Sequence, residues 1–130
     1  MIDNQRGFTL VEFLVAIVIL MVGMLGMFQA VNVAMDKNLE NVFRTEAVML
    51  ADDKMMFERS RAFNSVSTTV ANPPKIMEER NVRGIQKKYS TQKIVTQATT
   101  KSKEIIINVT WQKRKVHYSH SVSSLITTSD

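Results

Sequence analysis

Residues 6–28 read RGFTLVEFLVAIVILMVGMLGMF, and this stretch decides the fold because almost all of it is apolar. The 21 residues from Phe8 to Phe28 would extend over roughly 30 Å as an α-helix, which is the thickness of the hydrocarbon core of a bilayer. Glu12 is the only charged side chain among them. The stretch is therefore long enough to cross a membrane as a single helix.

A cleavable secretory signal is the alternative interpretation of this region, since it also begins with a polar, basic segment followed by apolar residues. The segment from Met1 to Gly7 carries one basic side chain, Arg6. Two features argue against such a signal. The apolar run is longer than the usual signal core of about 7–15 residues, and no small-x-small cleavage site follows it. Instead the chain continues through residues 29–35 into charged sequence, which favours a retained membrane segment.

Beyond the apolar block the sequence still favours a helix. Between Phe8 and Phe63 there is no proline, and glycine occurs only twice. We therefore predict one helix of about 55 residues that ends near residues 63–67. Its second half has the three-to-four spacing of an amphipathic helix that covers a small core. The apolar positions are Leu39, Val42, Phe43, Ala47, Leu50, Ala51 and Phe57, and the charged positions on the remaining faces include Lys54 and Glu58.

The last third of the chain has the composition of β-strands. Ile105, Ile107, Val109 and Trp111 alternate with more polar residues, and a polar tip at residues 112–115 leads into Val116, Tyr118, His120 and Val122. This alternation predicts a β-hairpin. Residues 88–96 form a third candidate strand, and residues 64–83 are predicted to be a loop because Asn72-Pro73-Pro74 cannot continue a helix. The predicted fold is α+β, with an antiparallel sheet of three or four strands laid on the helix.

Several function classes are excluded by composition. The chain has no cysteine, so disulfides, thiolate metal sites and thiol nucleophiles are absent. There is no cluster of carboxylates and no phosphate-binding loop, so we predict that the protein is not an enzyme and has no cofactor. His117 and His120 would point to opposite faces of a strand, so we predict no metal site.

Glu12 is the residue that points to a function. A carboxylate in a membrane helix costs on the order of 2.5–3.5 kcal/mol, so an acid within a span is a functional hypothesis by default. No cation lies between Phe13 and Phe28 to pair with it. The alternative is an ordinary single-pass protein in which Glu12, near one end of the segment, extends its carboxylate to the interface.

The motif Arg6-Gly7-Phe8, followed four residues later by Glu12, closely resembles the amino terminus of the type IV prepilin family. The resemblance implies the type IV pilin fold and a defined processing step. Prepilin peptidase would cut after Gly7, the end of the leader, and methylate the amine of Phe8. The resemblance also implies that Glu12 pairs with the amine of a neighbouring subunit in a helical fibre. The missing cation would then come from another chain, and the pair would mainly set the register between subunits.

Finer features suggest a subclass. The segment around Gly23 and Gly26, and residues 106–111, are similar to PilV-type minor pilins. Many major pilins have a helix-bending proline that would fall at Gln29, so its absence argues against the principal subunit. Pseudopilins of type II secretion have similar anchors and remain an alternative.

The resemblance implies a division of the chain into a leader at residues 1–7, a transmembrane and assembly segment at residues 8–35, and a soluble domain at residues 36–130. The protein would first lie in the inner membrane with its domain outside the cytoplasm, and later in a pilus or pseudopilus. The expected partners are prepilin peptidase, other major and minor pilins, the assembly platform of the inner membrane, and the lipid bilayer.

The soluble domain is predicted to be cationic. The net charge of the chain is +5, and from Pro73 onward eleven basic residues face four acidic ones. Such a surface could attract DNA, as in some competence pilins, or anionic lipid headgroups. We favour the simpler interpretation of a solvated, solubilising face.

Overall fold

The computed structural model describes residues 8–69 and 72–128. It contains one long helix, a short 3-10 helix and four strands. In chain order these are α1 (Leu10–Arg59), the 3-10 helix (Phe63–Ser65), β1 (Lys75–Val82), β2 (Ile85–Thr99), β3 (Ser102–Lys113) and β4 (Val116–Thr127). The chain divides into two compact units between Leu39 and Glu40.

In the first unit the described residues belong almost entirely to α1. Every side chain from Phe8 to Met35 is exposed. The absence of proline and the straight-chain and β-branched apolar residues allow an uninterrupted helix here, as predicted. An exposed helix that is apolar on all sides is typical of a segment that is solvated by lipid.

In the second unit the four strands form an antiparallel sheet in the order β1-β2-β3-β4. Each pair is a hairpin between neighbours in the sequence. β1 and β2 are joined by Arg83 and Gly84, with Val82 opposite Ile85, and β3 and β4 are joined by Arg114 and Lys115. Sequential hairpins require no crossover connection. The α+β fold and the antiparallel sheet are confirmed, and the sheet has four strands.

The core lies between one face of the sheet and residues 40–59 of α1. The predicted face of β3 is correct, since Ile105, Ile107, Val109 and Trp111 are all buried. The other core side chains are Phe43, Ala47, Leu50, Ala51, Met55, Val66, Val82, Tyr89 and Val95. Tyr89, Trp111 and Tyr118 lie opposite one another on three strands, with ring centroids 6.1 and 5.7 Å apart. This aromatic row adds to the stability of strand pairing.

The predicted loop at residues 64–83 is wrong in its second half, because β1 occupies Lys75–Val82. Five of its eight side chains are polar or charged, Ile76 and Met77 are exposed, and only Val82 is buried. β1 is thus a polar strand at the edge of the sheet, and its stability comes from its backbone pairing with β2. A strand with so little apolar patterning has a weak sequence signal.

The predicted core face of α1 needs two corrections. Phe57, expected in the core, is 63% exposed, whereas Met55 is buried. Glu58, expected on the solvated side, is only 7% exposed. Its carboxylate accepts a hydrogen bond from Lys93 Nζ at 2.9 Å and lies 3.4 Å from Arg61 Nη1. Glu58 is buried because cations from β2 and from the segment after the helix meet it. The helix also ends at Arg59, earlier than predicted.

Candidate processing and assembly site

The amino-terminal end of α1 is closed by two reciprocal hydrogen bonds between Thr9 and Glu12. The backbone N–H of Thr9 donates to Glu12 Oε2 at 2.9 Å, and the backbone N–H of Glu12 donates to Thr9 Oγ1 at 3.3 Å. This arrangement is a capping box, which satisfies N–H groups that have no partner within the helix. The N–H of Phe13 donates to the Thr9 carbonyl at 3.2 Å. Thr9 therefore determines where the helix begins.

Sequence reasoning identified Glu12 but not Thr9. The signal was present, because Thr9-Leu10-Val11-Glu12 has the Thr-x-x-Glu spacing of a capping box directly before an apolar run. The consequence for Glu12 is chemical as well as structural. Its carboxylate has a hydrogen-bond donor in its own chain, which meets part of the cost of placing it in an apolar environment. A carboxylate has two oxygens, so it can accept further bonds from another group.

Glu12 lies on an apolar face of the helix. It shares a shallow groove with Phe8, Val11, Val15 and Ile19, at the spacing of neighbours on one side of an α-helix. All of these side chains are exposed. A second helix that packed along this groove would surround the carboxylate with apolar side chains. The position thus combines a good packing surface with one group that demands a specific partner.

Of the remaining predicted site residues, the structure describes Phe8 but not Arg6 or Gly7. Phe8 is described and is 84% exposed directly before the helix. Arg6 and Gly7 lie outside the described residues. The cleavage and methylation roles of Gly7 and Phe8 therefore remain predictions.

The apolar part of α1 is, within residues 8–69 and 72–128, the one candidate for a membrane span. It is strongly apolar over a length sufficient to cross a bilayer, and none of that stretch is buried. Its length and composition suit a crossing of the hydrocarbon core. The length, apolar composition and exposure of this part of α1 support the predicted membrane segment.

Ionisable groups in the second unit serve the packing of the helix on the sheet. The Tyr89 hydroxyl is buried and donates to the Phe43 carbonyl at 3.1 Å. Burial, with a smaller contribution from Glu46, raises the pKa of Tyr89 to about 12. Desolvation, and then the nearby charge of Lys113, lowers the pKa of Lys87. Both groups lie where α1 begins its contact with the sheet.

Metal-binding chemistry finds no support in the part of the chain that the structure describes. No group of three or more His, Cys, Asp or Glu side chains there is placed to hold a metal ion. His117 and His120 lie three residues apart on β4 and pair with Gln112 and Val109. They therefore belong to opposite faces of the sheet.

Residues 2–28 match a family model described as the prokaryotic N-terminal methylation motif. No curated protein and no solved structure matches the chain. The matched region contains residues 2–7 of the predicted leader, the capping box and the apolar block up to Phe28. Together with a long amino-terminal helix packed on a four-stranded antiparallel sheet, which is the arrangement of the type IV pilin fold, it supports a type IV pilin-like or pseudopilin protein.

Proposed function

We propose that this chain is a minor pilin subunit of a type IV pilus, cut after Gly7 and methylated on the amine of Phe8 by prepilin peptidase. The observation that carries the proposal is the methylation motif over residues 2–28, which runs into the exposed apolar part of α1. The protein is a structural subunit in this proposal. It enters the fibre or primes its assembly together with other pilins.

The geometry at the start of α1 supports a link between the processing step and assembly. Cleavage between Gly7 and Phe8 would leave the new amine one residue before Thr9, where the capping box already orders the first turn. The amine and the Glu12 carboxylate would then lie at the same end of the apolar segment. Each subunit would then carry both groups of an ion pair. Its amine could pair with the carboxylate of one neighbour, and its carboxylate with the amine of another.

Pairing between chains follows from the cost of burial. When apolar helices pack along the groove that contains Glu12, its carboxylate can no longer extend to the membrane–water interface. A neighbour's amino terminus supplies the cation that the span from Phe13 to Phe28 lacks. Because the pair forms at only one axial offset between subunits, it sets their register and need not add net stability.

The minor-subunit role rests on the absence of a helix-bending proline at Gln29, and α1 continues through this position as helix. A type II secretion pseudopilin is the alternative that the same motif supports. The two differ in the fibre they join, so recovery of the chain in sheared surface pili favours the first. Recovery only in fibres that depend on a secretion system favours the second.

Mass spectrometry of the mature amino terminus tests the processing step. The full chain is expressed with and without an active prepilin peptidase. We expect a mature protein that begins at Phe8 and carries one added methyl group, and we expect Gly7→Leu to retain its leader. Gly23→Leu is the matched control, because nothing lies within 4 Å of a Cβ added at Gly23. An intact leader beside active peptidase, or cleavage beyond Ala30, contradicts the proposal.

A further inference from the structure

The two hairpin turns at one end of the sheet carry a dense group of cations. We call this group the cationic end and define it as Arg83, Lys87, Lys88, Lys113, Arg114 and Lys115. The β1-β2 and β3-β4 turns lie at the same end because the strands alternate in direction along the sheet. The influence of Lys113 on Lys87 reflects this proximity across β2 and β3.

Within the second unit, the cationic end is also the end at which residues 41–43 of α1 lie against the sheet. Lys87 Nζ lies 5.0 Å from the centroid of the Phe43 ring, and the Tyr89 hydroxyl bonds the Phe43 carbonyl. A shallow groove brings Arg83 together with Asn41. At the opposite end, Lys93 meets Glu58 near the last turn of the helix.

Opposite charges do not cancel this concentration. Residues 83–88 and 113–117 together hold the six basic side chains of the cationic end and no acidic side chain, so their net charge is +6 with histidine neutral. Glu79 pairs with Lys88 at 3.1 Å. The acidic groups of the helix in this region are Glu40 and Glu46. Arg83 and Lys115 are exposed at the two turns.

Backbone geometry gives an independent sign that these cations have a role. Arg83 and Arg114 have φ values of 52° and 56°, in the left-handed region that favours glycine and asparagine. In each hairpin the turn would be more stable with one of those residues. Strain of this kind is often found at functional positions. Each of the two turns at this end of the sheet therefore has an arginine at a position where glycine or asparagine would be more stable.

The chain also limits how far the cationic end can lie from a membrane that contains the apolar segment. Twelve peptide steps separate Phe28, the last residue of the apolar block that fills the hydrocarbon core, from Glu40. Even a fully extended chain covers at most roughly 43 Å over twelve steps. A bilayer surface is thus present at high effective concentration. DNA, the other polyanion that fits the charge, would have to be supplied from solution.

We propose that the cationic end binds the anionic headgroups of the membrane in which the chain is anchored. This is a second membrane contact, separate from the apolar helix. It would hold the domain against the bilayer before assembly and be released when the subunit leaves the membrane. A cluster of basic residues close to a membrane segment has this effect on anionic lipid, and the attraction falls with ionic strength. The inference rests on the membrane anchoring in the proposed function.

Single labels can test it, because the chain has no cysteine. Gln86→Cys places a fluorophore at the cationic end, and Thr100→Cys places one in the β2-β3 turn at the other end of the sheet; both positions are exposed. The full chain is inserted into nanodiscs of phosphatidylcholine alone or mixed with phosphatidylglycerol, with a quencher on the lipid headgroup. We expect quenching at residue 86 to rise with phosphatidylglycerol and to fall with added salt. Quenching at residue 100 should depend on neither.

Charge variants connect the effect to the proposed residues. Arg83→Gln with Lys115→Gln should lower the equilibrium constant for headgroup contact by roughly tenfold or more. Arg59→Gln with Lys101→Gln removes the same charge from exposed positions at the other end of the unit and should leave quenching unchanged. Equal loss in both double variants would show a general charge effect and would overturn the inference.

The remaining outcomes separate this inference from the proposed function. A chain that inserts but shows the same quenching in both lipids overturns the inference alone. A chain that enters neither bilayer overturns the membrane anchor and the inference with it. The last outcome concerns DNA. If the wild type binds duplex DNA, and the Arg83→Gln, Lys115→Gln double variant loses that binding while its lipid quenching is unchanged, the partner is nucleic acid and the proposal is wrong.

Discussion

At the first turn of α1, one carboxylate serves two purposes. Glu12 caps the N–H of Thr9 in its own chain, and the proposed assembly requires it to accept the amine of another chain. The two purposes need different chemistry. Capping needs only a hydrogen-bond acceptor, which glutamine also provides, whereas pairing with an amine in an apolar bundle needs the negative charge.

This difference gives a prediction for Glu12. Glu12→Leu removes the cap and the charge, and Glu12→Gln removes only the charge. We expect both variants to insert into the membrane at least as well as the wild type, because each removes an expensive charge. We also expect both to be depleted from fibres. The measurement is the amount of each variant in sheared fibre fractions relative to its membrane pool.

Thr9→Val is the control for the cap, since it removes the hydroxyl that bonds the Glu12 N–H and keeps the charge. It should enter fibres far better than Glu12→Gln. Normal incorporation of Glu12→Gln would show that the acceptor is sufficient. Pairing of charges between chains would then have to be abandoned, although the protein would still be pilin-like.

Tyr89 leads to a prediction about alkaline pH. Because its pKa is raised to about 12 in the folded protein, the unfolded state loses this proton first as pH rises. Between about pH 10 and pH 12 the free energy of unfolding should therefore fall by up to about 1.4 kcal/mol per pH unit from this group. Below pH 10 the contribution is fully present. Chemical denaturation of the full chain in detergent across this range measures it.

Tyr89→Phe is the matching variant. It loses the bond to the Phe43 carbonyl and should be less stable at neutral pH by about 1 kcal/mol. Its stability should then decline less steeply with pH than that of the wild type. Parallel declines in the two proteins would show that Tyr89 is not responsible.

At the scale of elements, the β1-β2 hairpin combines a suitable turn length with an unsuitable residue. Arg83 and Gly84 both have positive φ, as a two-residue turn of type I′ requires, and the Asn81 side chain accepts a hydrogen bond from the Gly84 N–H at 2.8 Å. Glycine adopts this conformation at little cost, but arginine does not. The turn is therefore the part of the sheet where one substitution is expected to stabilise it.

We predict that Arg83→Asn raises the free energy of unfolding by up to about 1 kcal/mol, because asparagine tolerates the left-handed region. Arg83→Ala is the control, since it removes the same charge and keeps the strain. Thermal unfolding of the full chain in detergent compares the three proteins. Equal stabilisation by alanine and asparagine would assign the effect to charge repulsion at this end of the sheet.

At the scale of the whole molecule, the boundary between the two units lies between Leu39 and Glu40. The core side chains all belong to the second unit, and the exposed apolar helix belongs to the first. A fragment that begins at Met35 should therefore be soluble without detergent and fold with mixed helix and strand. Circular dichroism and gel filtration test this. An insoluble fragment, or one without strand signal, would show that the second unit needs the apolar segment in order to fold.

Sequence alone determined the features that depend on local patterns. The long helix follows from the absence of proline and from continuous apolar or amphipathic spacing, and the β3-β4 hairpin follows from strict alternation around a polar tip. The amino-terminal motif identified Glu12, and its Thr-x-x-Glu spacing also contained the capping box. These signals lie within a few neighbouring residues, so no distant contact was needed to interpret them.

Only the tertiary structure decided which side of α1 is covered. Met55 and Phe57 lie roughly 80° to either side of Ala47 around the helix, so helical spacing treats them alike. Phe57 falls on the side of β1, where Lys54 reaches Glu78 and the nearby Ile76 is itself exposed. The short edge strand leaves that side open, and Met55 is buried instead.

The same limit explains Glu58 and β1. An acidic residue on a helix is expected in solvent, and its burial depends on Lys93, which lies 35 positions away in the chain. β1 is a strand because β2 provides backbone partners, while its own side chains are mostly polar. Both features depend on contacts between distant segments, so a local sequence pattern cannot predict them.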